Sequence, residues 1–456
     1  MPSSTSLTTL KNSTLSYENI TQTQHQAIDA LYEGNRLLIA GVGFGKAMCG
    51  QSAAQALLDA GEVSRVLVVA PLKVCTHTWA TEWQKWDHLW QPALALGDAA
   101  ARTAAINSLA SIVVINIENL AWLLNTHGVG NFDGLLIDEI SKFKTAGGET
   151  MKALRKHLKA FKWRAGMSAT PVAEAGIDIY AQALIIDGGE ALGRNQDRFR
   201  RNYFYPTDFQ QRKWAILPGG GERLADALRD LVYVADDAGY KAGLPELRDC
   251  IVNVTLPPAV RKDYDLFCHE GELHGVEAVN QAVLTGKLSQ IAAGFLYTDE
   301  GTRWLHYEKF AALWRVLGAA EGPVLVAYWF EAEREELRAR CPDMVFLGDG
   351  DPLTVERWNA GEISMLALHP KSAAHGLNLQ FGGHELVVLS PPWGADPWQQ
   401  LIGRIQRRGQ PSPYVRRTTI VAVDTVDELI IERHVAKEYS EISLMDHFRE
   451  RSANSR

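Results

Sequence analysis

The chain has 456 residues, with 46% hydrophobic and 22% charged side chains and a formal net charge of −8 at pH 7. This is ordinary globular composition, long enough for two or three folding units, and it excludes a protein that coats nucleic acid by bulk positive charge. Five scattered cysteines with no C-x-x-C pair read as reduced thiols, and no apolar run approaches the ~20 residues of a membrane helix.

In chain order, residues 1–20 are Ser/Thr-rich without an apolar core, which predicts a tail and no signal peptide. RLLIAGVGFGK (36–46) then reads as a strand running into a Gly-rich turn and a helix. VLVVAPL (66–72), IVVINIENL (112–120) and GLLIDEI (134–140) are further apolar runs with helix-like stretches between them. Continuous β-branched runs alternating with helices predict parallel strands buried on both faces. The pattern fades after Phe204, and 206–250, with GGGE at 219–222, is expected as a linker or small insertion. It resumes with IVNVTLP (251–257), PVLVAYW (323–329), ISMLALHP (363–370), ELVVLSPPW (385–393) and TTIVAVDT (418–425). The stretch 260–320 is expected to be mostly helical. The fold class is therefore α/β, with lobes at 21–205 and 251–437 and a second tail at 438–456.

Two places carry chemistry. Ala40-Gly41-Val42-Gly43-Phe44-Gly45-Lys46 follows a strand and precedes a helix, so its glycines can turn backbone N–H groups toward phosphate oxygens while Lys46 reaches the β- and γ-phosphates. Ala47 stands where such loops carry the Ser or Thr whose hydroxyl ligates Mg²⁺. Leu135-Leu136-Ile137-Asp138-Glu139 ends a strand in two carboxylates. Asp138 is expected to hold Mg²⁺ through water, and Glu139 to orient or deprotonate the attacking water.

These residues resemble a known pattern. Ala40, Gly43, Gly45 and Lys46 fit the A-x-x-G-x-G-K loop of superfamily 2 helicases, Asp138-Glu139 their motif II, and Ser168-Ala169-Thr170 their motif III. Gly376-Leu377-Asn378-Leu379-Gln380 resembles motif V of SNF2 proteins; Gln400, Gly403, Arg404, Arg407 and Gln410 resemble their motif VI, with Pro391-Pro392-Trp393 upstream at the family's spacing. APLKV…W (70–79), NIENLAWLL (116–124) and DEISKFK (138–144) resemble the compact phage-type SNF2 branch. The resemblance implies two tandem RecA-like lobes with parallel sheets, ATP in an inter-lobe cleft, and nucleic acid across both. It further implies that Gln24 reads adenine, that Gln400 and Gly403 adjoin the nucleotide, and that Ser168, Ala169, Thr170, Gly376, Asn378 and Gln380 couple nucleotide state to the track. A helix over 398–408 would place Arg404 and Arg407 on one face as phosphate-sensing arginines, ended by Gly409.

For nucleic acid, Lys142, Lys144, Arg155 and Lys156 crowd a stretch with few acids, and Arg198, Arg200 and Arg201 stand beside Tyr203 and Phe204. Trp393 is a further candidate contact. The implied activity is an ATP-dependent DNA translocase or helicase acting on duplex or branched DNA without sequence preference, with ATP and Mg²⁺ as cofactors and RNA left open as a track. A cytoplasmic monomer is expected, with no membrane contact and no identifiable protein partner. The rival reading is a nucleic-acid-binding protein with a helicase fold whose hydrolysis is weak or lost through Ala47.

Overall fold

A computed structural model describes residues 15–41, 43–143, 147–169, 176–207, 214–235, 243–274, 276–278, 281–373 and 377–435. Lys144, Thr170 and Gly376, three of the site residues expected from sequence, lie outside the described residues. The chain divides between Asp237 and Ala238 into two units.

The first unit is built on β1 (Arg36–Ile39), β2 (Val66–Ala70), β3 (Ala93–Ala95), β4 (Ile112–Asn116), β5 (Gly134–Asp138) and β6 (Trp163–Ser168). After a hairpin of β7 (Phe204–Pro206) and β8 (Trp214–Ile216), β9 (Val232–Val234) completes the sheet. The order is β3-β4-β2-β5-β6-β1-β9, with every pair parallel. Side chains alternate across a strand, and here both faces are apolar. Leu37, Leu67, Val69, Leu135 and Ile137 enter one core, whereas Leu38, Val66, Val68 and Leu136 enter the other. Helices α1 (Gln22–Tyr32) and α2 (Lys46–Asp59) bury Leu31, Met48 and Ala53 in the second core. Helices Ile117–Thr126, Glu149–His157 and Ile179–Asp187 cover the opposite face. At Gly50, α2 lies so close to the sheet that a Cβ would sit 2.7 Å from Met167 Sδ.

The second unit holds β10 (Glu246–Val254), the hairpins β11 (Glu272–Leu273)/β12 (Val276–Glu277) and β13 (Phe295–Thr298)/β14 (Gly301–Trp304), then β15 (Val324–Ala327), β16 (Val345–Phe346), β17 (Met365–Leu368), β18 (Glu385–Val388) and β19 (Tyr414–Ala422). Its six-stranded sheet runs β10-β19-β18-β15-β17-β16, again parallel throughout. Val324 and Val326 enter one core and Leu325 and Ala327 the other. Two α/β lobes, each built on a parallel sheet, follow each other along the chain.

Three boundaries differ from the sequence reading. Within 206–250, β9 belongs to the first sheet and β10 opens the second; β10 is a sheet-edge strand whose exposed Glu246, Arg248 and Asp249 break up the apolar run. The stretch 260–320 contains two hairpins besides helices, because strands of two to four residues are too short to leave a periodic signal. Residues 15–20, assigned to a tail, pack on the first unit: Leu15 N–H donates to Lys85 O at 2.7 Å, Asp87 N–H to Leu15 O at 2.9 Å, and Ile20 is buried.

Candidate nucleotide and nucleic-acid site

In an open parallel sheet, ligands bind beyond the carboxyl ends of the strands. In the first unit, adjacent strands β2, β5, β6 and β1 deliver the segment Leu72–Trp79, Asp138–Lys142, Ser168–Ala169 and the Ala40–Lys46 loop to that edge. Gly43 (φ 86°) and Gly45 (φ 92°) are left-handed, which a side chain would resist, so the loop can turn sharply into α2. Ala40 N–H donates to Ser168 O at 3.1 Å, tying the loop to the end of β6. Lys46 Nζ donates to Ala40 O at 2.9 Å and Gly41 O at 3.1 Å. Gln24 accepts from Thr21 N–H at 2.9 Å, capping α1, and its Nε2 donates to Phe44 O at 2.7 Å. Its amide lies so near the loop that a Cβ at Gly45 would approach Nε2 to 2.9 Å. Ala47 turns into the buried side of α2, 8% exposed.

Asp138 closes β5 and is 5% exposed. One oxygen accepts from Glu139 N–H and the other from Trp79 Nε1–H, both at 3.0 Å. Burial, followed by the neighbouring Glu139, pushes its carboxyl up to about 6, against the opposing pull of Lys46 and the two hydrogen bonds. Glu139 sits at φ 57°, ψ 48°, a conformation that is uncommon for a non-glycine residue and is often found at functional sites. Its backbone turns sharply there, leaving the side chain half-exposed.

The donor set fits a cation carried in with phosphate rather than a resident ion. Among the described residues no three His, Cys, Asp or Glu side chains converge, Ala47 adds no ligand, and Asp138 is one buried carboxylate whose charge a divalent cation would relieve.

Trp79, read from sequence as the end of the APLKV…W run, was not among the expected site residues. It is fully buried and is the one side chain that donates to Asp138 in the described structure. One tryptophan among 13 reads as core, and only its position after the Ala70–Val74 run marked it. Lys73 and His77, exposed on the outside of the same segment, were also missed.

The basic candidates do not form one surface. A crossover helix returns antiparallel to its strands, so Glu149–His157 starts near the Asp138 edge and ends near the opposite one. The far end is marked by the 3.0 Å Lys162–Asp133 ion pair, just before the starts of β6 and β5. Lys142 is exposed at the loop edge, whereas Arg155 and Lys156 lie on the last turn, at the other end of the sheet. Arg198 and Arg201 are exposed on the helix Gln196–Tyr203; Arg200 is half-buried, 3.7 Å from Asp197 and 5.7 Å from the Trp214 ring centroid.

In the second unit the expected helix over 398–408 ends at Ile402. Tertiary bonds override helix continuation: Leu379 N–H takes Arg404 O at 3.1 Å, and Ile405 is fully buried. The two arginines still converge, because both donate to Leu377 O at 3.4 Å, and Arg407 also donates to Asn378 Oδ1. Asn378 O accepts from Asn359 at 2.8 Å, Leu379 O from the buried Trp358 indole at 2.9 Å, and Gln380 is buried. Gln400 and Gly403 are half-buried at the helix end. Gln410 donates to Gly383 O and Ile405 O, closing the loop. Trp393 is 42% exposed, with the Arg433 guanidinium 5.1 Å from its ring centroid. All five cysteines are free thiols, and among the described residues no helix is long and apolar enough to cross a membrane.

Residues 21–176 match the DEAD/DEAH box helicase family. Over 443 residues the chain is 35% identical to protein p41 of Acyrthosiphon pisum secondary endosymbiont phage 1, covering 91% of this chain and 95% of that protein. Among solved structures, the Sulfolobus solfataricus SWI2/SNF2 ATPase core in complex with dsDNA aligns at a TM-score of 0.45 and 16% identity, over 91% of this chain and 90% of that one. The chain belongs to one family with this phage protein, and its matched segment is a DEAD/DEAH box helicase domain.

Proposed function

We propose that the protein is an ATP-dependent DNA translocase or helicase, acting in the cytosol on duplex or branched DNA without sequence preference. The observation that carries this reading is the convergence of the Lys46 loop and the Asp138–Glu139 pair on one sheet edge. Lys46 and the loop N–H groups hold the phosphates, with Gln24 beside them for the adenine. Asp138 would hold Mg²⁺, which neutralises phosphate charge when bound. Glu139 takes a proton from water as the water oxygen bonds to the γ-phosphorus and the bond to the β–γ bridging oxygen breaks, giving ADP and inorganic phosphate. Arg404 and Arg407 supply positive charge for the transferred group, a contribution typically worth roughly 10³–10⁵ in rate. The track would be gripped by local cations such as Lys142 despite the acidic whole.

The test is steady-state ATP hydrolysis with Mg²⁺, alone and with duplex, single-stranded and branched DNA. Stimulation by DNA is expected, with Glu139→Gln reduced by about 10²-fold or more while still binding nucleotide. No hydrolysis above that variant, in folded nucleotide-binding protein, would sink the motor reading. Ala47 favours a second reading, a DNA-binding protein with slowed hydrolysis. Under it, Ala47→Thr restores a hydroxyl and raises turnover by an order of magnitude or more; an unchanged rate in that variant removes the methyl as the brake.

A further inference from the structure

Trp79 closes the family-like APLKV…W run (70–79), and its indole is tied to Asp138. Leu72–Trp79 leaves the end of β2, the strand beside β5, and finishes in a π turn over Cys75–Trp79 closed by Ala80 N–H to Cys75 O at 3.1 Å. Single π turns insert one extra residue and cluster at functional sites. Here the turn separates two sides of a short segment. Lys73, Thr76 and His77 are exposed, and His77 Nδ1 and Thr76 Oγ1 bond back to Lys73 O at 3.0 and 3.3 Å. Val74, Cys75 and Trp79 are buried. Trp79 spends its one polar atom on the carboxylate oxygen that Glu139 N–H leaves open. A fully buried ring with two stiff torsions gives that donor a fixed direction.

We propose that Trp79 is a positioning residue that sets the aim of Asp138, and that it acts from a segment whose outer side faces the nucleic-acid track. This rests on the ATPase reading. With one oxygen held by the rigid indole and the other by a backbone N–H, the carboxylate has its rotation fixed before nucleotide arrives. Partners of this kind behind a metal-holding carboxylate are typically worth roughly 10–100-fold in metal affinity or activity. A shift of the Lys73–His77 side on taking a phosphate moves the indole with it, so DNA occupancy reaches the reaction through one hydrogen bond.

The experiment uses the full chain and reads two quantities. One is the affinity for a fluorescent ATP analogue with and without Mg²⁺; the other is the ATPase rate titrated in Mg²⁺ with and without duplex DNA. Trp79→Phe keeps a ring and deletes the N–H. It is expected to weaken Mg²⁺-dependent nucleotide affinity about tenfold, leave Mg²⁺-free affinity unchanged, raise the Mg²⁺ midpoint for turnover and shrink the stimulation by DNA. In an Asp138→Asn background the same change is expected to add nothing, since its effect runs through that carboxylate. Trp79→His keeps a ring N–H and is expected to fall between the two, and it stands in where the phenylalanine variant does not fold. Wild-type Mg²⁺ dependence in folded Trp79→Phe overturns the proposal, as does an equal loss with and without Mg²⁺. A wild type that binds nucleotide with Mg²⁺ but never hydrolyses it sinks the ATPase reading, and the binding data alone then judge Trp79.

Discussion

At Asp138 the structure keeps a charge where burial opposes it, and the cost depends on pH. The carboxyl lies at about 6 in the folded protein against 3.8 for the free side chain. Between those values the folded state binds more protons than the unfolded one, so stability falls as pH rises through that window. Below 3.8 the penalty is absent; above about 6 it is complete, at about 3 kcal/mol as an upper bound. Asp138→Asn removes the charge, but its NH₂ cannot accept one of the two N–H bonds, a loss of about 1–3 kcal/mol that is the same at every pH. Relative to wild type its denaturant midpoint is therefore expected to rise from pH 5 to pH 7.5, while ATP turnover is lost. A midpoint difference from wild type that is the same at both pH values would remove the burial argument.

At the scale of elements, the direction of a helix decides which cations share a surface. Lys73 and Lys142 lie at the edge that carries the phosphate loop, whereas Arg155 and Lys156 end a crossover helix at the opposite edge. Lys73→Glu and Lys142→Glu are each expected to weaken DNA binding several-fold and to lower the slope of log affinity against log salt by about one or two. Arg155→Glu and Lys156→Glu are expected to leave both unchanged, as read by fluorescence anisotropy across a salt series. In the linear sequence all these cations look alike, because charge runs carry no direction; only the placement of Glu149–His157 between β5 and β6 sorts them. The phosphate loop and acidic pair were legible for the converse reason, since each ends an apolar run and so announces its own edge. Motif VI was legible as residues but not as an element. Its helix stops at Ile402, where Leu379 N–H donates to Arg404 O and both guanidiniums donate to Leu377 O, contacts that no local period encodes.

At the scale of the whole molecule, each unit has hydrophobic cores of its own, which predicts that they respond separately to local damage. At Gly50 a methyl would press on Met167 and Leu136; at Gly382 it would lie 2.4 Å from Trp358 O, a backbone atom that cannot step aside. Gly50→Ala and Gly382→Ala are each expected to cost about 1–3 kcal/mol. In urea unfolding followed by hydrogen exchange, the first is expected to lower protection in β1, β2, β5 and β6 alone, and the second in β15, β17 and β18 alone. Loss of protection across both units from either change would mean that they unfold as one. The division into two α/β lobes was visible from the two series of apolar runs. Its position was not, because β9 offers only three residues and β10 hides its apolar side among charges.

β10 has a consequence for how the chain comes into being. Its partner is β19, so the first strand of the second sheet waits for the last, and the 2.6 Å Arg417–Asp249 bond joins residues 168 apart. On the ribosome, the first sheet has all seven strands once Val234 has emerged, whereas the second keeps the flank of β10 and the flank of β18 bare until Tyr414–Ala422 arrive. Bare flanks of that kind invite pairing between neighbouring nascent chains. A stop codon in the long interval between Val254 and Tyr414 would therefore release a finished first lobe joined to an adhesive, unfinished second one.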